Sequence, residues 1–312
     1  MPQPLRIIFM GTPDFAVASL QRLLGAGFQV VAVVTAPDRP SGRGLQLTPS
    51  PVKKAAEAAN LPVLQPEKLR DPAFLEQLAS YQADLQVVVA FRMLPEVVWG
   101  MPTIGTFNLH GSLLPQYRGA APINWAIING ETETGVTTFF IEKEIDTGQM
   151  IFQDYEPIYP DDTAGTVHDR LMERGANLVV KTVHAIEAGT YPRTPQPVAE
   201  DLKPAPKLSR ESTEINWNQP VIQIRNFVRG LSPYPTAWTK INGKVFKIYA
   251  VSVANESPFA AEQPGEAFSD NKKIILVRAA DGWLQIDALQ AEGKRRMTAE
   301  EFLRGNRLNQ DS

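Results

Sequence analysis

Apolar residues recur along the first half of the chain in two rhythms. Residues 5–9 form a short apolar run, punctuated by Gly11-Thr12-Pro13-Asp14, and Phe15, Val17, Leu20, Leu23 and Leu24 then recur at helical spacing. Residues 30–34 are a second β-branched run, so strand, turn, helix and strand make one βαβ unit. Residues 62–64, 85–90 and 106–109 read as further buried strands, with helical patterns over 51–59 and 72–80 between them. This alternation predicts an α/β fold with a Rossmann-like, doubly wound, mostly parallel sheet. Ligands of such sheets bind beyond the carboxyl ends of the strands, which directs attention to the loops after residues 9, 34, 90 and 109.

Residues 136–141 and 149–158 read as two more strands at the sheet edge, and 163–188 as a long amphipathic helix opened by Asp162 or Thr163 and closed by Gly189. Residues 190–208 are studded with proline, which predicts an extended, stiff linker. The pattern then changes. A helix is expected over 219–230, short strands near 236–241, 244–252, 272–278 and 283–289, and a last helix near 298–304. Asn242-Gly243 and Asp281-Gly282 are read as hairpin turns. The expected organisation is a first domain over 1–189, a linker over 190–208, and a small antiparallel, OB-like β-barrel over 209–312.

Composition narrows the functional classes. The 312 residues are 43% hydrophobic and 21% charged, which supports real cores and argues against a disordered chain. There is no cysteine, so a thiol nucleophile, a disulfide framework and Cys-ligated zinc are excluded. The first ten residues lack the apolar length of a signal peptide, and no stretch approaches the roughly 18 consecutive apolar residues of a membrane span. A cytoplasmic protein with no membrane partner is expected. The absence of a zipper or large apolar stripe favours a monomer. The net charge of −3 conceals a polarity: residues 207–312 carry 15 Lys/Arg against 12 Asp/Glu, and residues 1–206 carry 16 against 22. Ordinary scatter and a nucleic-acid partner both account for that difference.

The densest chemical signal is Asn108-Leu109-His110-Gly111-Ser112-Leu113-Leu114-Pro115, followed by Tyr117-Arg118-Gly119, just past an expected strand. Asn108 and His110 are two apart, so extended backbone points both side chains to one face. Asp146-Thr147-Gly148 forms a second turn after a strand. An amide donor, an imidazole and a carboxylate at strand ends suit acyl transfer to an amine. Taken alone, a loop histidine is usually structural or solvated, and an Asp before Thr-Gly is usually a turn former. His168 and His184 read as surface residues. No set of side chains has metal-ligand spacing, so no metal is expected. Gly11-Thr12-Pro13 matches neither a dinucleotide fingerprint nor a P-loop, which argues against NAD or ATP.

HGSLLPQYRGAAPINWAIINGETETGVT and the later Asp146-Thr147-Gly148 turn resemble the 10-formyltetrahydrofolate-dependent formyltransferases. The resemblance implies a one-carbon transferase with 10-formyltetrahydrofolate as formyl donor and Asn108, His110 and Asp146 as the catalytic trio. It also implies that Ser112, Leu113, Leu114 and Pro115 line the folate site. Branches of that family differ in their acceptor: glycinamide ribonucleotide, an amino-sugar nucleotide, or the methionine of initiator methionyl-tRNA. A deformylating hydrolase is related.

Residues 35–53 (TAPDRPSGRGLQLTPSPVK) resemble the inserted loop with which the tRNA-directed branch enters the acceptor arm, and FMGTPDFA and KLSRESTEINW also fit that branch. The implied tRNA contacts are Arg39, Arg43 and Lys207, with Asp38 part of the same projection. The implied role is translation initiation in protein biosynthesis. Guanidinium groups suit phosphate and stacked bases. Further cations lie at Arg210, Lys244, Lys247, Lys272, Lys273 and Lys294-Arg295-Arg296. Two departures from the family pattern stand out. Leu45-Gln46 replace lysines in the loop, and Phe91-Arg92-Met93-Leu94-Pro95 is one residue shorter than the usual element near the folate pocket. Competing readings are formylation of a sugar nucleotide or glycinamide ribonucleotide, hydrolysis at the same trio, and a non-catalytic RNA-binding module.

Overall fold

A computed structural model describes residues 4–41, 46–198, 200–254, 256–259 and 263–308. The first half runs β1 (Arg6–Gly11), α1 (Asp14–Gly25), β2 (Gln29–Val34), β3 (Arg39–Ser41), β4 (Gln46–Thr48), α2 (Pro51–Ala58), β5 (Val63–Leu64), α3 (Pro72–Ser80), β6 (Leu85–Val89), α4 (Glu96–Trp99) and β7 (Gly105–His110). It continues with α5 (Pro122–Ile128), β8 (Glu133–Phe140), β9 (Met150–Pro157) and α6 (Ala164–Glu187). Helix starts follow the local chemistry. Ser50 and Asp71 accept the Lys53 and Ala73 backbone N–H groups, and Pro51 and Pro72 occupy the first helical positions.

Seven strands form one sheet in the order β5-β2-β1-β6-β7-β8-β9. The pairs β2–β5, β1–β2, β1–β6 and β6–β7 are parallel, and β7–β8 is antiparallel. The expected Rossmann-like sheet is therefore present, with its antiparallel strands at one edge. Strand order reverses between β1 and β6, which is where such sheets bind ligands. There the backbones approach closely: a Cβ on Gly11 would stand 2.9 Å from the Val89 carbonyl. Alternation along the strands sends Ile8, Met10, Val34 and Val88 into one buried cluster with Phe74 and Leu78 of α3. On α6, Gly175 leaves room for Leu109 of β7, and Arg170 and Arg174 ion-pair with the buried Glu156 of β9. His184 is exposed against Phe28. His168 is only half-exposed, because its ring packs on Phe15 at 5.1 Å.

Two compact units emerge. The first comprises 1–119, 135–156 and 168–204, and the second 120–134, 157–167 and 205–312. The second unit contains α5, a 3-10 turn (Glu211–Thr213), α7 (Val221–Leu231), β10 (Ala237–Ile241), β11 (Lys244–Ala254), β12 (Ala267–Ser269), β13 (Ile275–Arg278), β14 (Trp283–Ala291), β15 (Met297–Thr298) and α8 (Ala299–Leu303). Its sheet runs β10-β11-β14-β13-β12, with β15 beside β14. The pairings between its strands are antiparallel, and its path ends at β10 and β12, which makes the expected barrel a half-barrel. Ile224, Val228 and Leu231 of α7, with Phe302 of α8, join Ile248 and Ile286 in its core. Asn242 has φ 49° and Gly243 φ 76°, as a two-residue hairpin requires. The second expected hairpin turn is also present, in a longer loop. Arg278 and Trp283 flank a four-residue loop closed by Ala279 N–H on the Gly282 carbonyl at 2.9 Å. Asp281, within that loop, also caps α7 by accepting the Val221 N–H at 2.8 Å.

Candidate active site

β7 carries Asn108 and His110 to the carboxyl end of the sheet. Asn108 is paired with Val88 on one side and Phe139 on the other, and His110 stands opposite Thr137. The two-residue period puts both side chains on one face. The His110 ring is buried and edge-on to Phe139 at 6.4 Å. Asn108 is half-buried, and its side-chain amide has no hydrogen-bond partner among the described residues.

The imidazole has two distinct sides. Nε2 donates to the Tyr117 carbonyl at 2.8 Å. A carbonyl only accepts, so Nε2 carries a proton in every charge state of the bonded ring. Nδ1 faces Asp146, with Oδ2 at 3.9 Å. Oδ2 in turn accepts the Gly119 N–H at 3.0 Å. Asp146 sits in the left-handed region at φ 55°, a conformation that short polar side chains tolerate best. Two residues on, a Cβ at Gly148 would fall 1.7 Å from the Phe140 carbonyl, so only glycine lets this turn close.

The residues after His110 are fixed by one hub. The Thr137 hydroxyl donates to the Ser112 carbonyl at 2.7 Å and accepts from the Leu114 N–H at 3.1 Å. Gln153 donates to the same hydroxyl at 3.0 Å and to the Leu114 carbonyl at 2.9 Å. Ser112 is fully buried with its hydroxyl on the Gln116 carbonyl at 2.6 Å, and Leu114 is buried as well. Leu113 and Pro115 are the half-buried members of the segment, and Leu113 packs over Gly135. In the shortened element Leu94 is buried and Arg92 donates to the Pro66 and Glu67 carbonyls.

The loop read as a tRNA probe has an ordered root. β3 and β4 pair from Arg39–Thr48 to Ser41–Gln46. Arg39 is exposed, and the Arg92 guanidinium pKa is depressed first by desolvation and then by the Arg39 charge. Asp38 is not part of the projecting surface. It is clamped by Lys53 Nζ at 2.6 Å and Gln65 Nε2 at 2.7 Å, and these bonds hold its carboxyl below the usual range. Arg43 and Leu45 lie outside the described residues. Lys207 is exposed in the second unit. There Arg210 lies over the Trp238 ring, Arg296 over Tyr249, and Arg295 pairs with Glu301. The structure thus brings His110 and Asp146 together with Asn108 alongside. It leaves Arg39 and Lys207 at exposed positions. Among the described residues no group of three or more His, Asp or Glu could hold a metal, and no helix is long and apolar enough to cross a membrane.

Of the side chains that hold this site, the sequence did not point to Gln153 and Gln196, and Thr137 stood at the end of the family-like run with no role attached to it. Gln196 lies in the proline-rich stretch, where its amide reaches the Asp146 turn and Arg118. Ordinary glutamines and threonines carry no local signal of such use.

Comparison with known proteins agrees with this geometry. Residues 5–183 match the formyl transferase family model, and residues 207–307 match the model of the formyl transferase C-terminal domain. A methionyl-tRNA formyltransferase from Parabacteroides distasonis is 54% identical over 311 residues, covering 97% of this chain and 96% of that protein. In fold, the chain resembles HypX from Aquifex aeolicus, whose structure was solved with tetrahydrofolic acid. That match has a TM-score of 0.66 at 19% identity and covers 96% of this chain and 47% of the other. An N-formyltransferase from Helicobacter canadensis, solved with folinic acid and dTDP-3-aminofucose, has a TM-score of 0.64 at 22% identity, covering 94% of this chain and all of the other. By sequence along nearly its whole length, and by fold, the chain belongs to the formyl transferase family.

Proposed function

We propose that this chain transfers the formyl group of 10-formyltetrahydrofolate to the α-amino group of methionyl initiator tRNA, giving the formylated tRNA that begins protein synthesis. Its place of action is then the cytoplasm, with the aminoacylated tRNA. The acceptor reading is supported by 54% identity over nearly the full length to a protein of that activity, whereas the amino-sugar-linked neighbour is related at 22%. The chemical reading is carried by one observation: His110 is held between the Tyr117 carbonyl and the Asp146 carboxylate at the carboxyl end of β7.

The acceptor amine attacks as a free base, and an unperturbed α-amine, with a pKa of roughly 8, supplies that form readily near neutrality. Negative charge then develops on the formyl oxygen. The Asn108 amide, with no partner of its own, is placed to donate to it. Because His110 Nε2 is committed to Tyr117, the imidazole donates to the oxygen when Nδ1 also carries a proton, and the Asp146 carboxylate stands 3.9 Å from that nitrogen. Asp146 Oδ1 has no hydrogen-bond partner among the described residues and takes the amine proton directly or through water. The folate nitrogen leaves with a proton returned to it. Leu113 and Pro115 offer the folate side of the site an apolar, rigidly held edge. Arg39, Arg43 and Lys207 engage the tRNA.

The test is a panel of acceptors incubated with the folate donor and the full chain: methionyl initiator tRNA, methionyl elongator tRNA, an amino-sugar nucleotide and glycinamide ribonucleotide. Formyl incorporation into the initiator tRNA alone, or far faster than into the rest, is expected. Preferential formylation of a small acceptor, or donor turnover with no acceptor, would overturn the proposal.

A further inference from the structure

The proline-rich stretch after α6 is tied to the loops that carry His110 and Asp146. Thr194 and Met150 exchange backbone hydrogen bonds at 2.8 and 3.0 Å. Arg193 lies over the Phe140 ring at 4.4 Å. Further on, the Lys203 carbonyl accepts the Tyr117 N–H at 2.8 Å, and the Gln116 side chain bonds to Lys203 N–H and the Asp201 carbonyl. Tyr117 is the residue whose own carbonyl receives His110 Nε2.

Gln196 is the centre of this strap. It is half-buried, while its neighbours Thr194, Pro195 and Pro197 are exposed. Its Nε2 donates to the Asp146 carbonyl at 2.8 Å and the Gly148 carbonyl at 2.9 Å. Its Oε1 accepts Arg118 Nη2 at 2.6 Å and Nε at 3.1 Å. One amide thus uses both donors and both lone pairs to join the two loops that meet at the trio. The residue after Arg118 is Gly119, whose N–H holds Asp146 Oδ2. Gln196 therefore fixes both ends of the Asp146 placement: the backbone that presents the carboxylate and the strand of loop that grips it.

We propose that Gln196 is a positioning residue for the transfer, setting where the Asp146 carboxylate stands relative to His110 Nδ1. The inference rests on the catalytic reading of Asp146 and His110 given above. Only glutamine has the reach and the paired donor and acceptor for this bridge. Glutamate cannot donate to the two carbonyls, asparagine is one methylene short, and leucine fills the volume without bonding. A shift of about 1 Å in a catalytic group can cost on the order of a hundredfold in rate.

The test compares the parent, Gln196→Leu, Asp146→Asn and the double variant, measuring kcat, KM for both substrates and melting temperature. Gln196→Leu is expected to lower kcat by about tenfold or more, to leave both KM values within about twofold, and to lower the melting temperature by only a few degrees, because the hydrogen bonds it loses are part-buried. In the Asp146→Asn background the same change should cost less than about threefold, since there is no carboxylate left to misplace. Gln196→Asn should behave like Gln196→Leu and serves as the second variant if the leucine protein does not fold. A parent-like kcat in the folded variants, a KM effect alone, or full additivity with Asp146→Asn would overturn the inference. An inactive parent, or an Asp146→Asn protein with normal turnover, would instead overturn the catalytic reading itself and the inference with it.

Discussion

The loops around His110 and the hairpin bearing Arg39 are built on opposite plans. At the first, backbone and side chains are mutually committed: Thr137 binds Ser112 and Leu114, Tyr117 receives His110, Gly119 grips Asp146, and Gln196 joins the two turns. At the second, the side-chain hydrogen bonds among the described residues lie at the root, through Asp38, Lys53 and Gln65, while Arg39 and Leu47 stand exposed. Chemistry needs groups fixed to fractions of an ångström, because its barrier depends on alignment. Recognition of a large anionic partner needs charge that can adapt to it. On the proposed function, turnover and acceptor choice would be carried by these separable parts of the chain.

The largest effects that could break this separation lie in the trio. Removing one oxyanion donor typically costs about 2.7–4 kcal/mol. His110→Ala and Asn108→Ala should therefore lower kcat by at least about a hundredfold while leaving tRNA binding near parental values. A change in tRNA affinity as large as the change in kcat would mean the two functions are not separable.

Gly148→Ala comes next. The added methyl cannot coexist with the Phe140 carbonyl, so the turn must open. A stability loss of about 1–3 kcal/mol in denaturant unfolding is expected, with a fall in kcat from the displaced Asp146. An unchanged protein would show that the turn is not held as described.

Smaller effects belong to the recognition side. Lys53→Ala frees the Asp38 clamp. An ion pair open to solvent contributes little, so KM for tRNA should rise by up to about fivefold with KM for the folate donor unchanged. Lys207→Gln is the mildest. Titrating tRNA at several salt concentrations should show the log–log salt slope reduced by about one. An equal effect on the folate KM in either variant would assign these residues to the other region.

The sequence showed the two regions unequally. Continuous apolar strands and capped helices made the parallel sheet legible, and the family-like run from His110 to Thr137, with Asp146 beyond it, marked the site. Hydrogen bonds between residues far apart in the chain were not legible. Gln196 lies fifty positions from Asp146, inside a stretch whose prolines spoke only of stiffness. Asp38 read as part of a charged projection because its partners Lys53 and Gln65 are brought to it only by the turn of the chain. Asp281-Gly282 turns a hairpin as read, but its second role was hidden for the same reason, since Asp281 is also drawn to the start of α7. Local patterns record burial and turn chemistry, whereas long-range polar pairing is fixed only by the tertiary fold.

The central claim is most directly tested by steady-state kinetics of Asn108→Ala and Arg43→Ala side by side, with methionyl initiator tRNA as acceptor and 10-formyltetrahydrofolate as donor. The account predicts a collapse of kcat at near-parental KM for tRNA in the first, and a raised KM for tRNA with kcat and the folate KM preserved in the second. Near-normal turnover by Asn108→Ala, or equal loss of folate and tRNA use by Arg43→Ala, would contradict it.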